Sequence, residues 1–294
     1  MIIAGAGMAG LLAANMLGPL KPLVLETQDS LPNNHSAVLR FRTSVVGDTL
    51  GIPFKRVSMI KDSAPWRNPV ADALAYSHKN TGLRRSDRSI TAGLVAQDRY
   101  IAPSDLLARM AERATIQYST PCDFASGPII STIPMPALMR ALNYPDQPTF
   151  SCRPATNIKA GVPDCDAYVS LMVPDPKKPF SRISLTGDEL VIECPGIEEM
   201  DGWTAIEIAE EAASLLGLSQ LKDISWQNST YAKILPIDDH QRREFMHWAT
   251  DKHNVFSLGR FATWRPGLLL DDLVQDIRMI AGWLNNRYNI RRSR

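Results

Sequence analysis

The chain has 294 residues, 45% of them apolar and 21% charged, with a net charge of +1. This is the composition of a folded protein with a substantial core, in one large or two modest domains; it excludes disorder and a global field that would recruit nucleic acid or a membrane. The four cysteines form no CxxC pair and the five histidines no HxxxH or HExxH pattern, so reduced thiols, a cytoplasmic setting and no metal site are expected.

Between Met1 and Leu20 there is no Lys or Arg, and Gly5, Gly7, Gly10, Asn15 and Gly18 interrupt the apolar run. A secretory signal needs a basic start and a spanning helix about 20 strongly apolar residues, so no leader and no membrane partner are expected. Ile2-Ile3-Ala4 reads instead as a buried strand, Gly5-Ala6-Gly7-Met8-Ala9-Gly10 as a complete G-x-G-x-x-G, and residues 8–17 as a helix. The first glycine of that pattern makes the tight turn, and the second lets backbone approach a pyrophosphate. The third lets helix pack on strand, and the helix amino end faces the anion.

Pro22 to Glu26 is a second apolar strand, ending in a carboxylate 16 residues after Gly10. An acid there accepts hydrogen bonds from a ribose 2′-OH, whereas in the plainer reading it only terminates an exposed strand. Strand, glycine loop, helix, strand and acid in this order point to a dinucleotide. No tyrosine has a lysine four residues on, so the pattern is not that of a short-chain dehydrogenase.

Regular alternation then stops, and residues 28–100 read as irregular. His35, Arg40, Arg42, Thr43 and Ser44 fall in this stretch, as do Trp66, Arg67 and Tyr76, which are rim or core candidates around a substrate entrance. Pro103 and Ser104-Asp105 open a helix to about Ala114, and Ile116–Thr120 reads as a strand. A buried strand from Gly127 ends in a Thr132-Ile133-Pro134 turn followed by a helix to Leu142. From Phe150 to Pro195 the texture is that of antiparallel hairpins, with segments 155–162, 167–173 and 183–194. An amphipathic helix over 203–216 and a strand over 226–237 follow. His240 and His247 share a helix face but stand two turns apart, too far to share a metal directly. Val255 opens a strand leading into Gly259-Arg260, and Asp271 or Asp272 caps a helix to about Leu284.

Three of these pieces, GAGMAG, STIPMP and GRFATW with its following helix, resemble the flavoproteins related to amine oxidases, protoporphyrinogen oxidase and UDP-galactopyranose mutase. The resemblance covers residues 1–42, 97–142 and 253–284. It implies FAD as cofactor on an α/β fold: a Rossmann-like, doubly wound parallel sheet with a second, β-rich α+β substrate domain. The implied nucleotide domain takes 1–43, 97–149 and 253–294, and the substrate domain 44–96 and 150–252, with 44–96 adding helices and loops.

The resemblance also implies roles. Gly5, Gly7, Met8, Ala9 and Gly10 would hold the pyrophosphate, with Arg40 meeting it, and Glu26 the ribose. Thr132 and Pro134 would close the nucleotide domain, and Gly259 and Arg260 would run beside the ribityl chain and a phosphate. Leu270, Asp271 and Asp272 would present a helix amino end to the flavin C2 carbonyl, where reduced flavin carries negative charge. Trp264 as a wall beside the ring and His35 as a group approaching it are the catalytic candidates, each with a core or loop alternative.

The implied activity is oxidation or lyase-type cleavage of a C–N bond in an amine-bearing substrate. The wording LRFR, GIPF and GRFATW is also similar to short bacteriophage flavoproteins associated with thymine bases carrying amino-acid groups. On that reading modified DNA is a partner, and Arg84, Arg85, Arg88 and the tail arginines 287, 291, 292 and 294 meet its phosphates. A mutase working through reduced flavin, and a non-catalytic FAD-binding redox or partner protein, are the alternatives.

Overall fold

The structure is a computed structural model that describes residues 1–31, 39–63, 69–83 and 95–292. His35, Trp66, Arg67, Arg84, Arg85, Arg88 and Arg294 lie outside the described residues, as do the side chains of Arg287, Arg291 and Arg292.

The first half of the chain contributes β1 (Ile2–Ala4), α1 (Met8–Met16), β2 (Leu23–Leu25), β3 (Arg40–Phe41), α2 (Val45–Leu50), β4 (Lys55–Ser63) and α3 (Pro69–Thr81). Then come β5 (Val95–Ile101), α4 (Leu106–Glu112), β6 (Thr115–Gln117), β7 (Ile129–Ser131) and α5 (Met135–Ala141). The second half contributes β8 (Cys152–Gly161), β9 (Ala167–Met172), β10 (Arg182–Gly187), β11 (Glu189–Pro195) and α6 (Gly202–Ser214). It closes with β12 (Lys222–Ile234), α7 (Asp239–His253), β13 (Val255–Ser257) and α8 (Leu270–Arg292).

Two sheets organise these elements. The first has strand order β13-β7-β1-β2-β6 and is parallel throughout. Its strands are three residues long, and the inner three, β7, β1 and β2, are almost wholly apolar, as a sheet covered by helices on both faces requires. Ile3, Val24, Ile130 and Phe256 point into a core with α1, α2, α4 and α8. Ala4, Ile129 and Val255 point the other way, into a core with Met135, Leu138, Phe245 and Trp264. The expected α/β class and doubly wound parallel sheet are therefore found.

The second sheet has eight strands, in the order β12-β8-β11-β10-β9-β4-β5-β3; β4 and β9 are parallel and the other pairs antiparallel. Its apolar face, including Ile158, Ile183, Leu190 and Ile192, packs on Ala205, Ala209 and Ala212 of α6. Asp201 caps α6 by accepting from the Thr204 amide. The sequence expectation fails over 44–96, read as helices and loops. Lys55–Ser63 and Val95–Ile101 are strands paired over seven residues, with α3 between them. Polar side chains on both faces concealed them, since neither strand shows clean apolar alternation. The strand expected over 226–237 starts earlier, at Lys222, and ends at Ile234, and α8 continues past Leu284 to Arg292.

Candidate functional site

At the carboxyl end of β1 the chain makes the turn that the glycine spacing anticipates. Gly5 has φ +105°, and a Cβ placed on it would stand 2.4 Å from Thr132 Oγ1. A Cβ on Gly10 would stand 2.0 Å from the Gly5 carbonyl oxygen, so only glycine lets α1 pack this closely on its own turn. Gly7 differs from both: its φ is −74°, and nothing lies within 4 Å of a Cβ built there. Gly7 is also the N-cap of α1, which has no side-chain cap and no acid in its first turn. The amino end of α1 thus presents orphan N–H groups and the positive end of the helix dipole to open space.

Three further segments converge on this turn. The Glu26 carboxylate is buried and accepts hydrogen bonds from the Ala6 amide at 2.8 Å and the Gln28 amide at 3.1 Å. Glu26 therefore ends β2 facing the glycine loop, not solvent. Thr132 donates from its hydroxyl and its amide to the Ala4 carbonyl, at 2.8 and 2.9 Å, and ties the end of β7 to β1. Pro134, exposed, is the N-cap of α5. Gly259, at φ +100°, brings its backbone against α1: a Cβ there would lie 3.0 Å from that of Ala9. Met8 is buried under the same turn.

Leu270 opens α8, and neither aspartate after it caps in the simple way expected. Asp272 reaches back to the Leu269 amide at 2.9 Å, the return half of a capping box. Asp271 instead accepts from the Thr43 amide and hydroxyl at 2.9 and 2.7 Å and from the Arg42 amide at 3.3 Å. It joins the amino end of α8 to the segment after β3.

Other candidates sit differently from expectation. Arg260 donates from Nε to the Leu268 carbonyl at 3.0 Å and so braces the loop before α8. Trp264, with φ +46°, is only 2% exposed; its indole N–H donates to the Leu235 carbonyl at 2.8 Å and its ring meets Phe150 edge-on. That is the placement of a packing side chain, which shows an edge to a cavity of about 700 Å³ lined also by Ile237, Arg242, Arg265, Leu268 and Gln275. Tyr76 is buried, and His240 and His247 are exposed on α7. No group of three or more metal-ligating side chains occurs among the described residues, and no described helix is long and apolar enough to cross a membrane.

Arg40 lies in the second sheet and turns along it: its Nη1 meets Met59 Sδ at 3.0 Å. Burial, and then the charge of Arg182, push its pKa down to about 10. Register places Arg40, Arg99, Lys61, Arg182 and Glu193 on the sheet face opposite α6. Arg182 pairs with Glu193, and Lys233 reaches the same carboxylate at 3.0 Å. Burial would raise the Glu193 pKa, but the two cations outweigh it and hold the carboxyl well below its usual range. The pair is mostly buried, with 34% of the Arg182 side chain and 18% of the Glu193 side chain accessible. Sequence reasoning missed this set, because the pairing that assembles it joins strands as much as 109 residues apart.

No protein-family profile matches the chain, and no curated protein does. Solved structures do match. A reduced UDP-galactopyranose mutase superposes with a TM-score of 0.69 over 97% of this chain and 93% of that one, at 13% identity. A 2-methyl-3-hydroxypyridine-5-carboxylic acid oxygenase matches with a TM-score of 0.51 over 99% and 91%, at 14% identity. A geranylgeranyl bacteriochlorophyll reductase-like protein from Thermoplasma acidophilum matches with 0.51 over 89% and 70%, at 11% identity. The likeness is one of fold, and it extends over both sheets.

Proposed function

We propose that the chain is an FAD-dependent oxidoreductase. The observation that carries this reading is the uncapped amino end of α1, open at Gly7 and flanked by the Glu26 carboxylate. The residues fit the group: a pyrophosphate would take the orphan N–H groups of α1, and Glu26 retains acceptor capacity for ribose hydroxyls. Gly5, Gly10 and Gly259 would act by close packing, since the space a Cβ would need at each is already taken. The amino end of α8 would stabilise negative charge on the ring system. Bound flavin would supply the hydride acceptor for the substrate.

The finer form of the proposal is oxidation of a C–N bond in an amine, with an amino-acid-bearing thymine base in DNA as the substrate. It rests on the sequence resemblance. A mutase-like reaction is the second reading, favoured by an overlap of 97% and 93% with the mutase structure.

The test is the visible spectrum of the purified protein, before and after adding FAD, repeated anaerobically with simple amines and an aminated nucleoside, and then with NADPH. A flavin spectrum that bleaches with an amine supports the C–N reading. Bleaching with NADPH alone favours the mutase-like reading or a reductase. A protein with no flavin that takes none up overturns the proposal.

A further inference from the structure

The second sheet carries a concentration of positive charge that pairing among the described residues leaves unbalanced. Arg40, Lys61, Arg99, Arg182 and Lys233 all belong to its polar face. The carboxylates that face this group are engaged: Glu193 by Arg182 and Lys233, and Asp271 by the backbone and hydroxyl of residues 42–43. Among the described residues Arg40 meets only a thioether sulfur. Arg99 donates to the Asp98 carbonyl at 2.6 Å and the Gln97 amide oxygen at 2.7 Å, both neutral. The Lys61 ammonium has no hydrogen-bond or ion-pair partner among the described residues.

These groups can converge. The Arg40 guanidinium ends at Met59, and Lys61 is the next residue of β4 on that face. Arg99 stands beside Val57, one step the other way along the same face. Lys61 is opposite Ser170, which is opposite Ser184, and Arg182 is the next residue of β10 on that face. Burial, then the charges of Arg99, Arg40, Arg182 and Arg42, lower the Lys61 pKa to about 8. Arg40, Lys61 and Arg99, gathered on one face with no ion-pair partner among the described residues, cost the fold stability unless an anion answers them.

We propose that this face binds a compact oxyanion, a carboxylate or phosphate carried by the substrate, through Lys61, Arg99 and Arg40. The proposal rests on the flavoenzyme reading for its purpose: through Asp271 the cation group adjoins the amino end of α8, so an anion held here would fix the substrate beside the ring system. The acceptor class follows from chemistry, since planar guanidinium forks and an ammonium match oxyanions. It makes the substrate an acid as well as a reductant, which an apolar amine is not.

The test is calorimetric titration of the protein, as purified and after loading with FAD, with acetate and with inorganic phosphate at low ionic strength. Lys61→Gln and Arg99→Gln are compared with Arg56→Gln, an exposed cation on the opposite face of β4. We expect saturable binding of at least one probe, weakened about tenfold or more by either of the first two changes. Lys61→Arg should restore most of it, Arg56→Gln should leave it intact, and circular dichroism should show each variant folded. Acetate bound more tightly than phosphate identifies a carboxylate, and the reverse a phosphate. No saturable binding, or equal binding by all variants, overturns the site. Failure of FAD uptake alone overturns the flavin reading while leaving the anion titration interpretable.

Discussion

The carboxylate of Glu26 accepts the backbone amide of Ala6 at 2.8 Å, and this one hydrogen bond ties the end of the second strand to the turn after the first. It is charge-assisted and buried, so it is stronger than a neutral bond and costly to leave half made. Glu26→Ala leaves the Ala6 amide without its partner and should lower stability by about 1–3 kcal/mol. Glu26→Gln keeps an acceptor and should melt closer to the parent. Both should lose FAD affinity about tenfold or more, read by quenching of FAD fluorescence, if the carboxylate also receives the ribose.

On the proposed flavin reading, substitutions at Gly7 and Gly10 should separate cofactor binding from folding. A methyl at Gly10 meets the Gly5 carbonyl at 2.0 Å, so Gly10→Ala should cost about 3 kcal/mol or more, the upper range for overpacking. Gly7→Ala meets nothing within 4 Å at an ordinary φ of −74°. Its melting temperature should stay near the parent's while FAD uptake falls. Equal loss of stability in both variants would contradict the open cradle at Gly7.

Asp271 joins α8 to the segment after β3. Removing its carboxylate by Asp271→Ala frees the Thr43 amide and hydroxyl, and should cost roughly 0.5–1.5 kcal/mol. Hydrogen exchange should show the amides of residues 42 and 43 opening faster, with β1 and β7 unaffected.

Glu193 sets an acid limit on the second sheet. Its folded pKa lies below the ordinary value of 4.5 because Arg182 and Lys233 favour the charged form. Its contribution to stability is therefore present above that ordinary value and is lost as pH falls through the range below it. Thermal melts from pH 7 downward should show this loss in the parent, and a shallower slope in Glu193→Gln.

Lys61 sets an alkaline limit on the proposed anion site. Protonated below a pKa of about 8, with Arg40, Arg99, Arg182 and Arg42 around it permanently charged, it binds an anion best at lower pH. Affinity for the probe should fall as pH rises through and above 8, since a bound anion raises that pKa. In Lys61→Arg, whose charge does not titrate there, the profile should be flat.

The first 26 residues were legible because their constraints are local. A glycine loop at fixed spacing, a short apolar strand on either side and an acid at the end can each be read within one βαβ unit. The strand ends at Thr132 and Gly259 were legible for the same reason, and the close approaches of Gly5 to Thr132 and Gly259 to Ala9 accord with them. Lys55–Ser63 and Val95–Ile101 were not legible: each alternates charged and apolar residues without a clean period, and each becomes a strand through its partner. Trp264 looked like a wall because its neighbours in sequence did, whereas its contacts with Phe150 and Leu235 place it in a core.

The sequence by itself determined the glycine turn between β1 and α1, because backbone sterics and helix termini act between residues a few positions apart. Only the tertiary structure decided what Arg40 does. Its guanidinium runs over the second sheet to Met59 and joins Lys61, Arg99 and Arg182 there. Charge interactions depend on distance in space, and that distance is set by strand pairings between segments far apart in the chain.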